Sequence, residues 1–444
     1  MSVRRIPGGL AVAALVLTGL TGPCVVRGAD LMELYRRAEE VDPSLERAQK
    51  EKVIAGYQED QAQAGLMPRL TGQASRSWTK QKQEALFGPT PETRTETYEQ
   101  DRYSLTLQQP LFLGGRTWIS LDIADVSRER ADATVSAARQ DLMIQVAEAY
   151  FSVLDAKEEL DLAKREVRRV REHLERAQAQ FDVGTGDIVG VREAEARRDQ
   201  AQTRLVRARN AVRTARQRLR RLIRRKPPSL NRVTEVDLAP PQPGAPEAWV
   251  ERAFAEHPQL VQLRKDLTIA RKNAELSSRE RWPEVTAQAQ YSKVEGGSFF
   301  IEDEQKSASI QLNWPLYQGG AVSADTSIQQ ERAAQTRLQL DDRQEEVRIQ
   351  TVQSFYDWDS AMQEVRSLRA QVRSTKTQLE AVETGFEVGR RTSIDVLDAQ
   401  QEYFDALRSL ATARHQYLLA RLRLKAASGQ LTMADLEKVN RQLD

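Results

Sequence analysis

Few side chains of this 444-residue sequence could support acid–base, nucleophilic or metal chemistry. The chain has three histidines, His173, His257 and His415, and a single cysteine, Cys24. One cysteine excludes a disulfide framework within the chain and every multi-cysteine metal site. The sequence contains no glycine-rich phosphate-binding loop and no evident pairing of a nucleophile with a base. We therefore expect a protein that is not an enzyme and that needs no cofactor or metal.

Two carboxylates near the C-terminal end have a spacing that lets them act together. Asp395 and Asp398 are three residues apart, so on a helix they occupy neighbouring positions of one face. Such a face attracts cations and opposes anions where it lines a pore. Asp395 also follows Thr392 by three residues, and a carboxylate in a first helical turn is favoured by capping and by the helix dipole. Both interpretations of Asp395 stay open.

The overall composition restricts the class of protein. The 66 basic and 64 acidic residues give a net charge of +2, which disfavours a nucleic-acid-binding protein. The chain is 40% hydrophobic but only 6% aromatic, as is typical of long helices with shallow interfaces. The arginine-rich stretch 213–226 flanks an intact apolar pattern, so we interpret it as a solvated helix surface.

The N-terminus has the layout of a secretory signal peptide. Arg4 and Arg5 precede an uncharged stretch, residues 6–26, and small residues at the required positions place cleavage near Ala29. The alternative is an uncleaved membrane anchor, but glycines and a proline interrupt the apolar run. Cys24 follows a proline rather than the small residue of a lipoprotein signal, so we expect it to be discarded with residues 1–28.

Almost the whole remaining chain is a tandem duplication. Early segments repeat at an offset of 215 residues and later segments at 205, so one length difference accounts for both offsets. Four pairs of segments carry the repeat: 42–45 with 257–260, 67–70 with 282–285, 109–115 with 314–320, and 181–184 with 386–389. His257 occupies the repeat position of Asp42, and we therefore expect it to cap a helix.

The repeats and the prolines between them predict the domain boundaries. The first repeat covers residues 29–225 and the second covers residues 247–430. Residues 226–246 form a proline-rich irregular connector, and residues 431–444 form a C-terminal tail.

Each repeat predicts a long antiparallel helical hairpin, because apolar residues recur with alternating spacings of three and four. The hairpins turn at Gly184 and Gly186 in the first repeat and at Gly389 in the second. The first long helix, residues 117–181, would be about 98 Å long at 1.5 Å per residue. Its return helix, residues 188–224, is much shorter, so a preceding helix would have to fill the gap.

The remaining part of each repeat predicts a β-hairpin, at about residues 68–112 and 283–317, because the apolar period changes to two. A soluble, half-buried sheet would explain each strand by itself. The signal peptide and the lack of an apolar helix favour strands that cross an outer membrane. Four strands cannot close a barrel, eight leave a filled lumen, and twelve from three chains leave room for water.

The sequence resembles the TolC family of outer-membrane efflux and secretion channels over residues 30–440. The most specific stretch is Val388-Gly389-Arg390-Arg391-Thr392-Ser393-Ile394-Asp395-Val396-Leu397-Asp398-Ala399. Two strand-end motifs are also similar to the family pattern: Pro110, Gly114 and Gly115, and Pro315, Gly319 and Gly320. The fold class is then mainly α with a β membrane portion, in which duplicated helical hairpins form an α-barrel. The resemblance implies a homotrimer with a twelve-stranded barrel in the outer membrane and a helical barrel in the periplasm.

The resemblance also implies a periplasmic gate at the tip of the second hairpin. Arg391 matches the latch donor, and Asp395 and Asp398 match carboxylates that ring the constriction. For Asp398 we prefer this role to helix capping. Phe386 and Gly190 depart from the family pattern, which has a tyrosine and an aspartate that bond each other. That bond cannot form here, so Arg391 would need another acceptor such as Asp187.

The function that follows is a passive exit duct, in the outer membrane of a Gram-negative bacterium, for a tripartite efflux pump or a type I secretion system. Its expected partners are two further copies of the chain, a periplasmic adaptor, an inner-membrane RND or ABC transporter and outer-membrane lipid, with no nucleic acid. The alternative is a soluble periplasmic scaffold or adaptor built from coiled-coil hairpins. The cargo is not specified by the sequence.

Overall fold

The computed structural model of the chain describes residues 29–84, 93–233, 236–297 and 302–443. The predicted signal peptide and Cys24 lie outside the described residues. Ala29, where we expect the mature chain to begin, is buried and its backbone N–H donates to the Ser229 carbonyl at 2.6 Å.

Helices make up most of the described chain. They are α1 (Leu31–Val41), α2 (Pro43–Ala64), α3 (Arg116–Asp182), α4 (Ile188–Ile223), α5 (Pro246–Glu256), α6 (Pro258–Ser278), α7 (Ala321–Glu387), α8 (Ser393–Ala427) and α9 (Met433–Asn440), with a 3₁₀ turn at Arg279–Arg281. Within the described residues, no helix combines the length and the apolar character needed to cross a membrane.

The two long hairpins have the predicted antiparallel arrangement and follow the duplication. α3 and α7 each contain 67 residues, about 100 Å, and pack against the shorter return helices α4 and α8. α2 packs along α3, and α6 packs along both α3 and α7. The helices before each hairpin therefore cover the part of the long helix that its return helix does not reach.

Asp42 and His257 begin the equivalent helices α2 and α6 in different ways. The Asp42 carboxylate accepts hydrogen bonds from the backbone N–H groups of Ser44 at 2.9 Å and Leu45 at 3.0 Å. The His257 side chain makes no such bond, and its buried Nδ1 has no partner. His257 is therefore the N-cap residue of α6, as predicted, but its side chain supplies no capping hydrogen bond.

The four strands form one antiparallel sheet in the order β1–β2–β3–β4. The strands are β1 (Arg69–Glu84), β2 (Thr93–Leu113), β3 (Glu284–Gly296) and β4 (Asp303–Asn313). β1 and β2 are longer than the ten residues or so that we expected for each strand. The pairing of β2 with β3 joins the two repeats, and β1 and β4 are the open edges of the sheet within the described residues.

The two Gly-Gly motifs turn the chain from a strand segment into a long helix. Gly114 and Gly115 have φ of 63° and 81°, and Gly319 and Gly320 have φ of 62° and 86°. This left-handed conformation is readily adopted only by glycine. The second member of each pair is the N-cap of its long helix. Pro110 lies within β2 at a register shift, whereas Pro315 lies after the end of β4.

The main core lies midway along the molecule, where α1, α9 and the connector pack against the hairpins. Tyr150 of α3 donates to the Asn231 carbonyl at 3.0 Å, and Tyr417 of α8 accepts from the Ala239 N–H at 2.8 Å. Residues 431–444, which we described as a tail, contain α9, and its Leu436 is fully buried. The connector and the C-terminal segment are thus held on the surface of the helical hairpins.

Candidate functional site at the hairpin tips

The two hairpin tips, residues 183–187 and 388–392, share one backbone design. In the first tip, the N–H groups of Thr185 and Gly186 both donate to the Gln180 carbonyl at 2.9 Å. In the second tip, the N–H groups of Arg390 and Arg391 donate to the Gly385 carbonyl at 2.8 and 3.2 Å. Gly184 and Gly389 both have left-handed φ, 77° and 72°. The duplication therefore extends to the hydrogen bonds of the turns.

The two tips differ in which of two turn positions is a glycine and which carries a side chain. Gly186 of the first tip has Arg391 as its counterpart, and Gln180 has Gly385. A Cβ on Gly186 would lie 2.9 Å from the Phe181 backbone nitrogen, and a Cβ on Gly385 would lie 2.8 Å from Cγ of Arg391. The missing side chain at position 385 therefore makes room for the arginine side chain.

Arg391 has one carboxylate near it in the described chain. Its Nη1 lies 4.0 Å from Oδ1 of Asp395, one turn further along α8, and both side chains are more than one-third exposed. Asp187, the alternative acceptor that we considered, instead caps α4 by accepting from the Val189 N–H at 3.2 Å. Within a single chain, Arg391 is therefore held only weakly.

Asp395 caps α8. Its Oδ2 accepts from the Thr392 N–H at 2.8 Å, while the Thr392 hydroxyl accepts from the Asp395 N–H at 3.2 Å. The hydrogen bond from the Thr392 backbone lowers the pKa of the Asp395 carboxyl, so it is ionised at neutral pH. In the single chain, Asp395 therefore caps α8 in addition to its long contact with Arg391.

Asp398 joins the second hairpin to the first. Its Oδ1 lies 2.5 Å from Nη2 of Arg197 on α4, and the same guanidinium donates to the Gln401 side chain. Asp398 is about half exposed, so this pair remains in contact with solvent. The family resemblance predicts Asp398 at the constriction, but it gives no indication of the arginine partner.

A buried histidine makes a second link that we did not predict. Nε2 of His173 on α3 lies 2.6 Å from Oγ of Ser393, the first residue of α8, and the His173 ring stacks at 5.6 Å on Phe386. The His173 side chain is only 1% exposed, and burial lowers its pKa to about 4, with a smaller contribution from Arg176. The ring is therefore neutral at neutral pH. Its only signal in the sequence is its position between seam residues of α3.

The departures from the family pattern become part of this contact. Phe386 stacks on the His173 ring, and a Cβ added to Gly190 would lie 3.3 Å from Cβ of Ser393. The absence of a side chain at position 190 thus lets α4 approach the start of α8. We call the contacts His173–Ser393, His173–Phe386 and Arg197–Asp398 the tip clasp.

A buried ionic network joins the same helices nearer the middle of the molecule. The Glu166 carboxylate of α3, whose side chain is 3% exposed, accepts from Arg204 of α4 at 2.5 Å and from Arg408 of α8. Arg408 also lies 3.1 Å from Glu159. Burial disfavours the charged form of Arg408, but the carboxylates of Glu166 and Glu159 outweigh it and raise its pKa. We call Glu166, Arg204 and Arg408 the hairpin crossing.

Neither contact has the composition of a metal centre. Among the residues that the structure describes, no group of three or more histidine, cysteine, aspartate or glutamate side chains could hold a metal ion. The chemistry of the site therefore lies in how carboxylates, guanidinium groups and one neutral imidazole hold the two hairpins together.

Comparisons with known proteins place this architecture in a defined class. The chain matches the model of the outer membrane efflux protein family over residues 34–223 and 249–430, which correspond to the two repeats. The alkaline protease secretion protein AprF of Pseudomonas aeruginosa is 30% identical over 426 residues, covering 92% of this chain and 86% of AprF. TolC of Vibrio cholerae is 28% identical over 425 residues, covering 93% of each chain.

The fold is also that of a solved channel. The crystal structure of the Campylobacter jejuni CmeC outer membrane channel has a TM-score of 0.78 at 14% identity, covering 100% of this chain and 98% of CmeC. Duplicated helical hairpins and one antiparallel sheet thus define an outer-membrane channel component. The chain belongs to the outer membrane efflux protein family. The predictions of a TolC-type fold, an exit-duct function and an outer-membrane location are confirmed.

Proposed function

We propose that three copies of this chain form a passive exit duct, and that a periplasmic adaptor and an inner-membrane RND or ABC transporter open it at the hairpin tips. The duct would serve a tripartite efflux pump or a type I secretion system. The 30% identity to a protein named for alkaline protease secretion supports the secretion role, and the identity to TolC is compatible with both. The chain itself would carry out no catalysis.

The sheet is the observation that carries the proposal. Neighbouring rungs across all four strands alternate in polarity: one contains Leu70, Leu107, Ala289 and Ala308, and the next contains Thr71, Thr106, Gln290 and Ser307. A sheet with one apolar and one polar face suits a barrel between lipid and water. Because β1 and β4 have open edges, three copies would give twelve strands and a lumen wide enough for water.

The apolar face of the sheet is exposed in the single chain, as lipid contact requires. Leu70 is 64% exposed and Ile310 is 74% exposed. A soluble scaffold would have to cover such side chains with its own residues. Lipid is the partner that we propose for this face.

The tip clasp and Arg391 would hold the duct closed. The clasp joins α3 and α4 to α8 at the end of the molecule furthest from the sheet, where an adaptor from the inner membrane would arrive. In a trimer, Asp398 would contribute carboxylates to the constriction, and we propose that these bind cations. Asp395 would contribute charge there in addition to capping α8.

Fractionation of cells that produce the full chain tests the proposal. We expect the protein in the detergent-extracted outer membrane, as a trimer by size-exclusion chromatography with light scattering. A monomer in the soluble periplasmic fraction would instead support the scaffold. Purified trimer should give small, stable conductance steps in planar bilayers. Mild crosslinking in native membranes, followed by mass spectrometry, would then identify the adaptor and transporter.

A further inference from the structure

The contact between the two hairpins within one chain, which we call the inner seam, is closed by polar and ionic pairs around an apolar side chain. It lies between α3 and α8. Three side chains of α3 meet basic groups of α8: Glu148 with Arg423 at 2.7 Å, Asp155 with His415 at 2.5 Å, and Glu159 with Arg408 at 3.1 Å. Phe151 is fully buried in this seam and stacks on His415 at 5.6 Å.

The duplication supplies a second copy of both faces, and these copies are exposed. α7 is the counterpart of α3, and α4 is the counterpart of α8, at the offset of 205 residues. The counterpart of Phe151 on α7 is Tyr356, which is 56% exposed, and the nearby Ile349 is 59% exposed. On α4, Val206 is 49% exposed. The exposed faces of α7 and α4 thus carry apolar residues like those buried in the inner seam, but these two faces do not meet within the chain.

The two exposed faces carry opposite charge. Residues 200–234 contain twelve basic residues and no acidic residue. Of these, only Arg204 and Arg232 form ion pairs with other described residues. On α7, residues 341–364 contain seven acidic and two basic residues. Asp357, Asp359 and Glu364 form no ion pair within the described chain.

The register of the inner seam places these charges opposite each other. The counterpart of Glu159 is Glu364, and transferring the inner-seam pairs by 205 residues places Glu364 opposite residues 203–207, a segment that ends at Arg207. The same transfer places Asp357 level with Arg213. All four of these side chains belong to exposed residues.

We propose that the basic face of α4, residues 206–225, binds the acidic face of α7, residues 345–364, of a second copy of this chain. This ionic outer seam deepens the proposed function and rests on it. Because two different faces meet, the contact is head-to-tail and closes into a ring when the rotation permits. The stretch 213–226, which we had interpreted as solvent-exposed, becomes the basic half of this interface.

Charge reversal in the full chain tests the outer seam. One variant carries Arg207→Glu and Arg213→Glu, a second carries Asp357→Arg and Glu364→Arg, and a third combines all four. At low salt, each double variant should lower the trimer-to-monomer ratio in detergent extracts about tenfold, because like charges then face each other. The combined variant should restore most of the trimer.

A matched control reverses two arginines of the same helix nearer the tip, Arg192→Glu and Arg198→Glu. Arg192 lies about 22 Å from Arg207 along α4, so the control should retain the wild-type ratio. Wild-type ratios in both double variants would overturn the outer seam while leaving the proposed trimer in place. No recovery in the combined variant would also overturn the outer seam. An acidic partner of another kind would give that same insensitivity. A monomeric wild type would instead contradict the proposed function itself.

Discussion

The hairpin crossing and the tip clasp join the same helices by different chemistry. Both connect α3 and α4 to α8, and the clasp also includes Phe386 of α7. Glu166 and His173 are only seven residues, about 10 Å, apart on α3. The crossing holds a carboxylate that is 3% exposed between two guanidinium groups. The clasp consists of one neutral hydrogen bond, one ring contact and one half-exposed ion pair.

The difference indicates where the hairpins can separate. Removing one partner of a buried ion pair leaves the other charge buried and uncompensated, which costs about 3–5 kcal/mol. A neutral hydrogen bond contributes about 1 kcal/mol, and an exposed ion pair contributes about 0.2–1 kcal/mol. The clasp is therefore held by individually weak contacts, and we expect the hairpins to separate there rather than at the crossing.

The largest effect is expected from Glu166→Ala, which removes the buried carboxylate that Arg204 and Arg408 share. We expect a loss of about 3 kcal/mol in stability, measured as a lower thermal midpoint of the detergent-solubilised protein by circular dichroism. Glu175→Ala, at an exposed glutamate on the same helix, is the control. Equal thermal midpoints for Glu166→Ala and Glu175→Ala would show that the crossing is not the more strongly held of the two contacts.

The hydrogen bond of the clasp gives the next largest effect. Ser393→Ala removes the partner of a buried imidazole, and we expect the closed state to lose about 1 kcal/mol, or about fivefold in the closed-to-open ratio. Resting conductance in planar bilayers measures this ratio. In a double-mutant cycle with His173→Ala, the two losses should be clearly non-additive. Additive losses would mean that the two side chains do not act on each other.

Acidification should act on the same clasp through His173. Its folded pKa of about 4 lies below the ordinary value of 6.5, so the opened state binds the proton more tightly. The contribution to the closed state is complete above pH 6.5 and is lost as the pH falls towards 4. Resting conductance should therefore rise between pH 7 and pH 5.

The control for the pH effect uses the other histidine with a pKa lowered to about 4, His257, where burial is again the main cause. His173→Gln should flatten the pH response, and His257→Gln should leave it unchanged. A response that survives in His173→Gln would assign the effect to another group.

The half-exposed ion pair of the clasp, Arg197–Asp398, should contribute less to closure but more to selectivity. Asp398→Ala and Arg197→Ala each remove the same ion pair. Each should destabilise the closed state by no more than about 1 kcal/mol, which would appear as a higher resting conductance. The two variants should differ with divalent cations: Asp398→Ala relieves their block, and Arg197→Ala, which frees the carboxylate, strengthens it. Identical block curves would limit Asp398 to the link between hairpins.

Arg391→Ala should have the smallest effect, because its contact with Asp395 is long and exposed. We expect the closed state to lose less than about 0.5 kcal/mol relative to the open state, with a correspondingly small rise in resting conductance. Unchanged conductance would contradict the latch role, and a rise larger than that of Ser393→Ala would point to an acceptor in another copy of the chain.

Much of the fold follows from local patterns, which the sequence contains in full. The alternation of three and four apolar spacings specifies helical hairpins, and the period of two specifies strands. Gly184 and Gly389 mark the turns because only glycine readily adopts their left-handed backbone. The duplication made each prediction twice, which is why the hairpins and the sheet were predictable.

Contacts between distant segments were decided by the tertiary structure alone. Asp398 meets Arg197, and His173 meets Ser393, across more than 200 residues of sequence. Such pairs depend on how two helices approach and on which side chains are missing at the contact, as at Gly190. Periodicity assigns a residue to a face of its own helix, but it does not specify which residue of another helix lies opposite that face.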